Sequence, residues 1–142
     1  MAGSSMTFAY DDGIDKTGRM ASIRKVIADW VSDDTTGAVS GTTLKIVGTL
    51  IKAVTNPGTA APSANYDIAI TDEESVNILA LCKTNLDNRH TTSTEERYFL
   101  VLNEDGTPLS TSMSPVVCDK LTIAITNAGN SKDGRLILYY AP

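Results

Sequence analysis

The stretch from Leu44 to Glu74, LKIVGTLIKAVTNPGTAAPSANYDIAITDEE, limits what the rest of the chain can be. Its second half places Tyr66, Ile68 and Ile70 at alternate positions, with Asp67, Ala69 and Thr71 between them, the pattern of a strand with one buried face. Its first half belongs to TTLKIVGTLIKAV, which is rich in β-branched residues. Gly48 interrupts that run and marks a bulge or the close approach of another backbone. Between the halves, TNPGTAAPSAN is a loop that links two strands across the sandwich or around its end; Pro57-Gly58 suits the centre of a type II turn, and Pro62 keeps a helix from starting early. A second unit repeats the device: Leu121, Ile123 and Ile125 alternate with Thr122, Ala124 and Thr126, the turn-rich NAGNSKDG follows, and RLILYY closes a hairpin. Two such units predict an antiparallel β domain.

The remaining segments fit that class. RYFLVL at 97–102 reads as a strand, and Met6 to Tyr10 as a short strand or an extended arm. Met20 to Val31 is ambiguous: Met20, Ile23, Val26, Ile27, Trp30 and Val31 have helical spacing, yet SDDTTGAVSG then leads, hairpin-like, toward Thr42–Val54. Thr71 stands three residues before Glu74, a capping-box spacing that leaves room for one short helix near 73–82. LDNRHTTSTEER is a long polar loop of the kind that serves a function or is ordered by a partner. LILYY needs a strand on at least one side to avoid an open apolar edge, and one of Tyr139 and Tyr140 must face away from the core. The regular strand spacing predicts a single antiparallel β-sandwich, jelly-roll-like, of about seven to nine strands. Residues 1–19 form an N-terminal arm and turn, and 20–142 the sandwich domain.

A chain of 142 residues buries roughly two-thirds of its unfolded surface and needs no second domain for its core. Its net charge is −5 and its twelve Lys and Arg form no cluster, so nucleic-acid binding is not expected. The N-terminus lacks a basic segment followed by an apolar one, and no apolar run approaches the ~20 residues that span a bilayer. Neither Sec export nor membrane association is expected.

Chemistry-bearing groups are sparse. Cys82 and Cys118 lack a CxxC spacing and have only His90 to accompany them, so they read as buried or half-buried thiols rather than zinc ligands. His90 can be drawn beside Cys82 or Cys118 with Asp87, but no nucleophile elbow surrounds it, and a solvated loop histidine is the simpler reading. Asp11-Asp12, Asp33-Asp34 and Asp72-Glu73-Glu74 fall at turns, where an Asp side chain stabilises tight geometry. No phosphate-binding glycine motif occurs. Neither catalysis nor a cofactor nor a metal is expected.

Taken together, Trp30-Val31-Ser32-Asp33 with Gly37, Ile46-Val47-Gly48-Thr49-Leu50, Val54-Thr55-Asn56-Pro57-Gly58, Ala61 through Asp67, Thr71-Asp72-Glu73, Asn88-Arg89 with Thr94-Glu95, Leu121-Thr122-Ile123 and Thr126-Asn127-Ala128-Gly129 resemble a family of small structural proteins of tailed bacteriophages. The likeness runs over about 20–140. Family members typically carry a glycine where this chain has Ser75 and an Asp where it has Asn77. The resemblance tips Met20–Val31 toward strand. It implies a virion part: a capsid decoration or cement protein that stabilises the head through oligomeric contacts, or alternatively a neck, tail or baseplate component. A carbohydrate-binding module for host recognition is the reading from another class. The implied partners are further copies of the chain, as a trimer, together with the major capsid protein or other virion proteins, after assembly in the host cytoplasm. Tyrosines and the NPGTAAPSAN loop suit such contacts, so Phe8, Tyr10, Asn56, Pro57, Pro62, Tyr139 and Tyr140 are the candidate assembly residues.

Overall fold

The computed structural model describes residues 3–11, 23–81, 94–99 and 115–142. Seven strands account for most of them: β1 (Ser5–Asp11), β2 (Arg24–Val31), β3 (Val39–Pro57), β4 (Asp67–Thr71), β5 (Glu95–Tyr98), β6 (Val116–Thr126) and β7 (Asp133–Ala141), with one 3-10 turn at Ile78–Leu81. All pairings are antiparallel, in the order β1-β2-β7-β3-β6-β4, and β5 adds to β3 off this path. Met20–Val31 thus resolves as strand over Arg24–Val31, where Val26, Ala28 and Trp30 alternate inward.

The fold turns on β3, which is 19 residues long. Val39–Thr49 pair with β6, and Thr49–Pro57 with β7. One strand therefore serves two layers, β3-β6-β4 and β1-β2-β7-β3-β5, and the open sheet folds over as a sandwich. A single core fills the space between. Val26, Trp30, Leu136 and Leu138 come from one layer, and Ile68, Ile70, Leu121, Ile123 and Ile125 from the other.

Two one-residue bulges let β3 make the passage. Thr42 faces Thr122 and Lys45 faces Lys120, so Thr43 and Leu44 together oppose Leu121. Leu50 faces Tyr140 and Lys52 faces Tyr139, which leaves Ile51 as the extra residue. Each insertion exchanges the faces of the strand. Inward positions accordingly run Val39 and Thr43, then Ile46 and Leu50, then Ala53 and Thr55. Gly48 lies between the bulges and answers to close approach instead: it has φ 146°, and a side chain there would run into the Ala141 carbonyl.

Two expected hairpins are absent: β2 lies between β1 and β7 rather than beside β3, and β6 and β7 pair with successive halves of β3 instead of each other. β6 separates β3 from β4, so the loop at 58–66 links two strands across the sandwich, as expected. Turn residues mark where a chain reverses, but not whether it reverses within a layer or crosses to the facing one. Here 32–38, 58–66 and 127–132 all cross.

Two local readings also change. Gly58 is not among the positive-φ glycines, so Pro57-Gly58 is not a type II turn; the glycine makes room for Asp133. The Thr71–Glu74 capping box does not form. Asp72 Oδ1 accepts from the amides of Glu74 (3.0 Å) and Val76 (2.9 Å), and Asn77 Oδ1 caps the 3-10 turn by accepting from Leu79 N at 3.1 Å. The shorter Asp72 side chain reaches the orphan amides directly.

Candidate interaction surface

The three crossing segments meet at one end of the sandwich and bind each other through backbone and side-chain hydrogen bonds. Ser32 is fully buried there; its hydroxyl donates to the Gly129 carbonyl at 2.6 Å and accepts from Lys132 N at 2.9 Å. Ala128 N donates to Gly37 O at 3.1 Å, and Ser63 N donates to Ala128 O at 2.7 Å. Asn127 Nδ2 donates to Asp67 Oδ2 at 2.7 Å, and Ala60 N to Asp133 Oδ1 at 3.1 Å. Gly37, at φ 68°, admits the Gly129 backbone, which would stand about 3.0 Å from an added Cβ. These residues are largely those that carry the phage-protein resemblance, and in the structure they tie loops together.

Asp33 orders the first of these loops. Its Oδ1 accepts from Thr35 N at 2.8 Å and Thr36 N at 2.9 Å, and these backbone bonds hold its carboxyl below the usual carboxylate range. The turn-stabilising reading of Asp33 and Asp72 therefore holds; Asp12 lies outside the described residues.

Beside this end a groove of about 410 Å³ is lined by Asp29, Trp30, Asn56, Pro57, Asp133 and Arg135, among others. Arg135 grips Asp29 with two hydrogen bonds, Nε to Oδ1 at 2.6 Å and Nη2 to Oδ2 at 2.9 Å. That carboxylate holds the guanidinium proton more tightly still. Each group is thus occupied by the other. Trp30 is only 2% exposed, with its ring tilted against Tyr66 at a centroid distance of 5.6 Å, so it offers a ligand no stacking face. Among the described residues no group of three or more His, Cys, Asp or Glu is placed to hold a metal ion, and no helix is long and apolar enough to cross a membrane.

The outer face of the β1-β2-β7-β3-β5 layer reads in cross-strand rows. One runs Asp11, Lys25, Tyr139, Lys52, Tyr98. Lys52 Nζ sits 4.9 Å from the Tyr139 ring centroid and 5.8 Å from that of Tyr98, and bonds Glu96 at 3.2 Å, which raises its pKa. Sequence patterning found Tyr139 but not Lys52, because the Ile51 bulge sets which face Lys52 occupies.

The seven candidate assembly residues do not form one patch. Tyr139 lies in this row, and Asn56 is exposed and accepts from Thr94 Oγ1 at 3.2 Å. Pro57 is half-buried at the groove. Phe8 and Tyr10 are half-buried on β1, and Tyr10 Oη accepts from Leu44 N at 2.7 Å. Pro62 and Tyr140 are buried within the chain. Cys118, expected to be at least half-buried, is a free, exposed thiol on the outward face of β6. Cys82, Asp87, Asn88, Arg89 and His90 lie outside the described residues.

No protein-family model matches the sequence, and no curated protein does so either. Among solved structures, Fe(II)-HppE with the alternative substrate (S)-1-HPP is similar at 12% identity over 94% of this chain and 55% of that one, with a TM-score of 0.27. A structure of infectious bursal disease virus, Gx strain, is similar at 12% identity over 97% of this chain and 32% of that one, with a TM-score of 0.29. The chain thus spans about half and a third of these two, at scores too low to bear on what it does.

Proposed function

We propose that the chain is a structural protein of a tailed-phage virion, and within the particle a capsid decoration or cement protein that acts as a homo-oligomer against the major capsid protein. The observation that carries this reading is the convergence of the resemblance residues, Ser32, Gly37, Ser63, Asp67, Asn127, Ala128 and Gly129 among them, on one hydrogen-bonded knot of crossing loops. Shared residues that hold loops together are what a family related by scaffold keeps, whereas one related by a reaction keeps a reacting constellation. A net charge of −5 suits a protein accumulated at high concentration before assembly in the host cytoplasm. The reading assigns the chain no reaction and no cofactor; it needs a homo-oligomer, and not specifically the trimer that the resemblance implies.

Cryo-electron microscopy of the purified particle tests it. Density for this chain at capsomer junctions is the expected result. Density only at the neck, tail or baseplate would replace the cement role with that assignment, and absence of the chain from the particle would overturn the virion reading.

A further inference from the structure

The two layers end at β1 and β5, and at β4 and the first half of β3, and these edges are not alike. The β3 edge is broken by the Thr43–Leu44 bulge, and its Leu44 amide is taken by Tyr10 Oη. β4 has five residues and is closed off at its end by the Thr71–Asn77 bridge. β5 has four residues, three of them the charged Glu95, Glu96 and Arg97. Short or charged edges resist addition of another strand. β1 has neither defence: it is seven residues long, pairs with β2 over its whole length without a register shift, and among the described residues adds to no other strand. Its sequence, SMTFAYD, contains no Pro, Lys or Arg, and the first charge comes at its last residue. Met6, Phe8 and Tyr10 point inward but remain half-buried, so part of their apolar surface is left at the rim of the core.

We infer that the outer edge of β1, which no described strand covers, pairs antiparallel with β1 of a second copy of this chain, about a two-fold axis at Phe8. The sequence of β1 is complementary to itself in that register. Phe8 meets Phe8, Met6 meets Tyr10, Thr7 meets Ala9, and Ser5 meets Asp11. Residues directly opposite in an antiparallel pair share a face. The inward apolar set of one copy therefore continues into that of the other, and neither Asp11 faces its like. A two-fold contact of this kind is isologous and closes on itself. A partner of different sequence would have no cause to match this arrangement.

Thr7 and Ala9 are exposed, so changing them leaves the core intact. The double variant Thr7→Lys/Ala9→Lys sets ammonium groups opposite each other twice across the axis. Thr7→Lys/Ala9→Glu sets opposite charges there instead. Sedimentation velocity and light scattering are run on all three proteins over a concentration series, with circular dichroism and urea unfolding as checks of the fold. The wild type is expected at twice the chain mass, the Lys/Lys protein to dimerise about tenfold more weakly or worse, and the Lys/Glu protein to dimerise like the wild type. A wild type that stays monomeric or forms trimers, a Lys/Lys protein as dimeric as the wild type, or equal weakening of both variants would overturn the pairing. The inference does not rest on the virion reading: a chain located in the particle that self-associates otherwise than through β1 would remove the β1 contact and leave that reading standing.

Discussion

The hydroxyl of Thr43 accepts a hydrogen bond from Leu121 N at 3.0 Å and donates to the carbonyl of Leu44 at 2.7 Å. A bulge leaves one amide of the facing strand without its ladder partner, and here Thr43 supplies it with a side chain that is only 2% exposed. Thr43→Val keeps the shape and removes the acceptor. It is expected to cost about 1–3 kcal/mol, the penalty for an unsatisfied buried amide. Urea unfolding measures this; an unchanged midpoint would show that the bulge satisfies Leu121 in another way.

Gly134 lies under the indole of Trp30, where an added Cβ would stand 2.6 Å from Cζ2 and 2.9 Å from Cε2. Trp30 is 2% exposed and also packs against Tyr66, so a shift of its ring would disturb the core around it. Gly134→Ala is expected to destabilise the fold by about 1–3 kcal/mol through overpacking, with a change in the near-ultraviolet circular dichroism of the tryptophan. A gain in stability would mean that the β2–β7 pair can spread at no cost.

How much of this could be read from sequence depends on the distance over which the cause acts. The alternations at Tyr66, Ile68, Ile70 and at Leu121, Ile123, Ile125 follow from a period that each strand carries itself, and all six side chains are buried. The bulges at Thr43 and Ile51 follow from the partner strand's register, which nothing nearby in the sequence encodes. Ser32 looked like one polar turn residue among several. It is buried because Gly129 and Lys132, about a hundred positions away, close over it. The edge character of β1 was equally hidden, since only the strand order leaves it outermost.

Asp33 supplies a pH test. Its carboxyl is held low chiefly by the amides of Thr36 and Thr35, so the folded state binds its proton less readily than the unfolded chain, whose Asp titrates near about 3.9. A depressed folded value contributes stability above the unfolded pKa and loses it as pH falls through the folded one. Asp33→Asn keeps an acceptor oxygen but does not titrate in this range. The stability difference between wild type and variant is therefore expected to stay constant from neutral pH down to about pH 5 and to shrink below about pH 4. Urea midpoints across a pH series would show this, and a difference that widened on acidification would contradict the bonding described for Asp33.

Ser75 has φ 63°, a left-handed conformation that costs a residue with a Cβ roughly 1–2 kcal/mol. The turn imposes it: Ser75 N donates to Asp72 O at 3.1 Å, and Val76 N reaches back to Asp72 Oδ1 at 2.9 Å. The family that the chain resembles typically has glycine at this position, which is what such a φ favours. Ser75→Gly removes the steric cost but gives the unfolded chain more freedom, a loss of about 0.4–1 kcal/mol. The net expectation is a gain of about 0.5–1 kcal/mol, with the hydrogen bonds of Asp72 unchanged. Urea unfolding of the single variant decides it. A loss of stability would mean that the Ser75 side chain makes a compensating contact, and the correspondence between this turn and the family's glycine would then lose its physical basis.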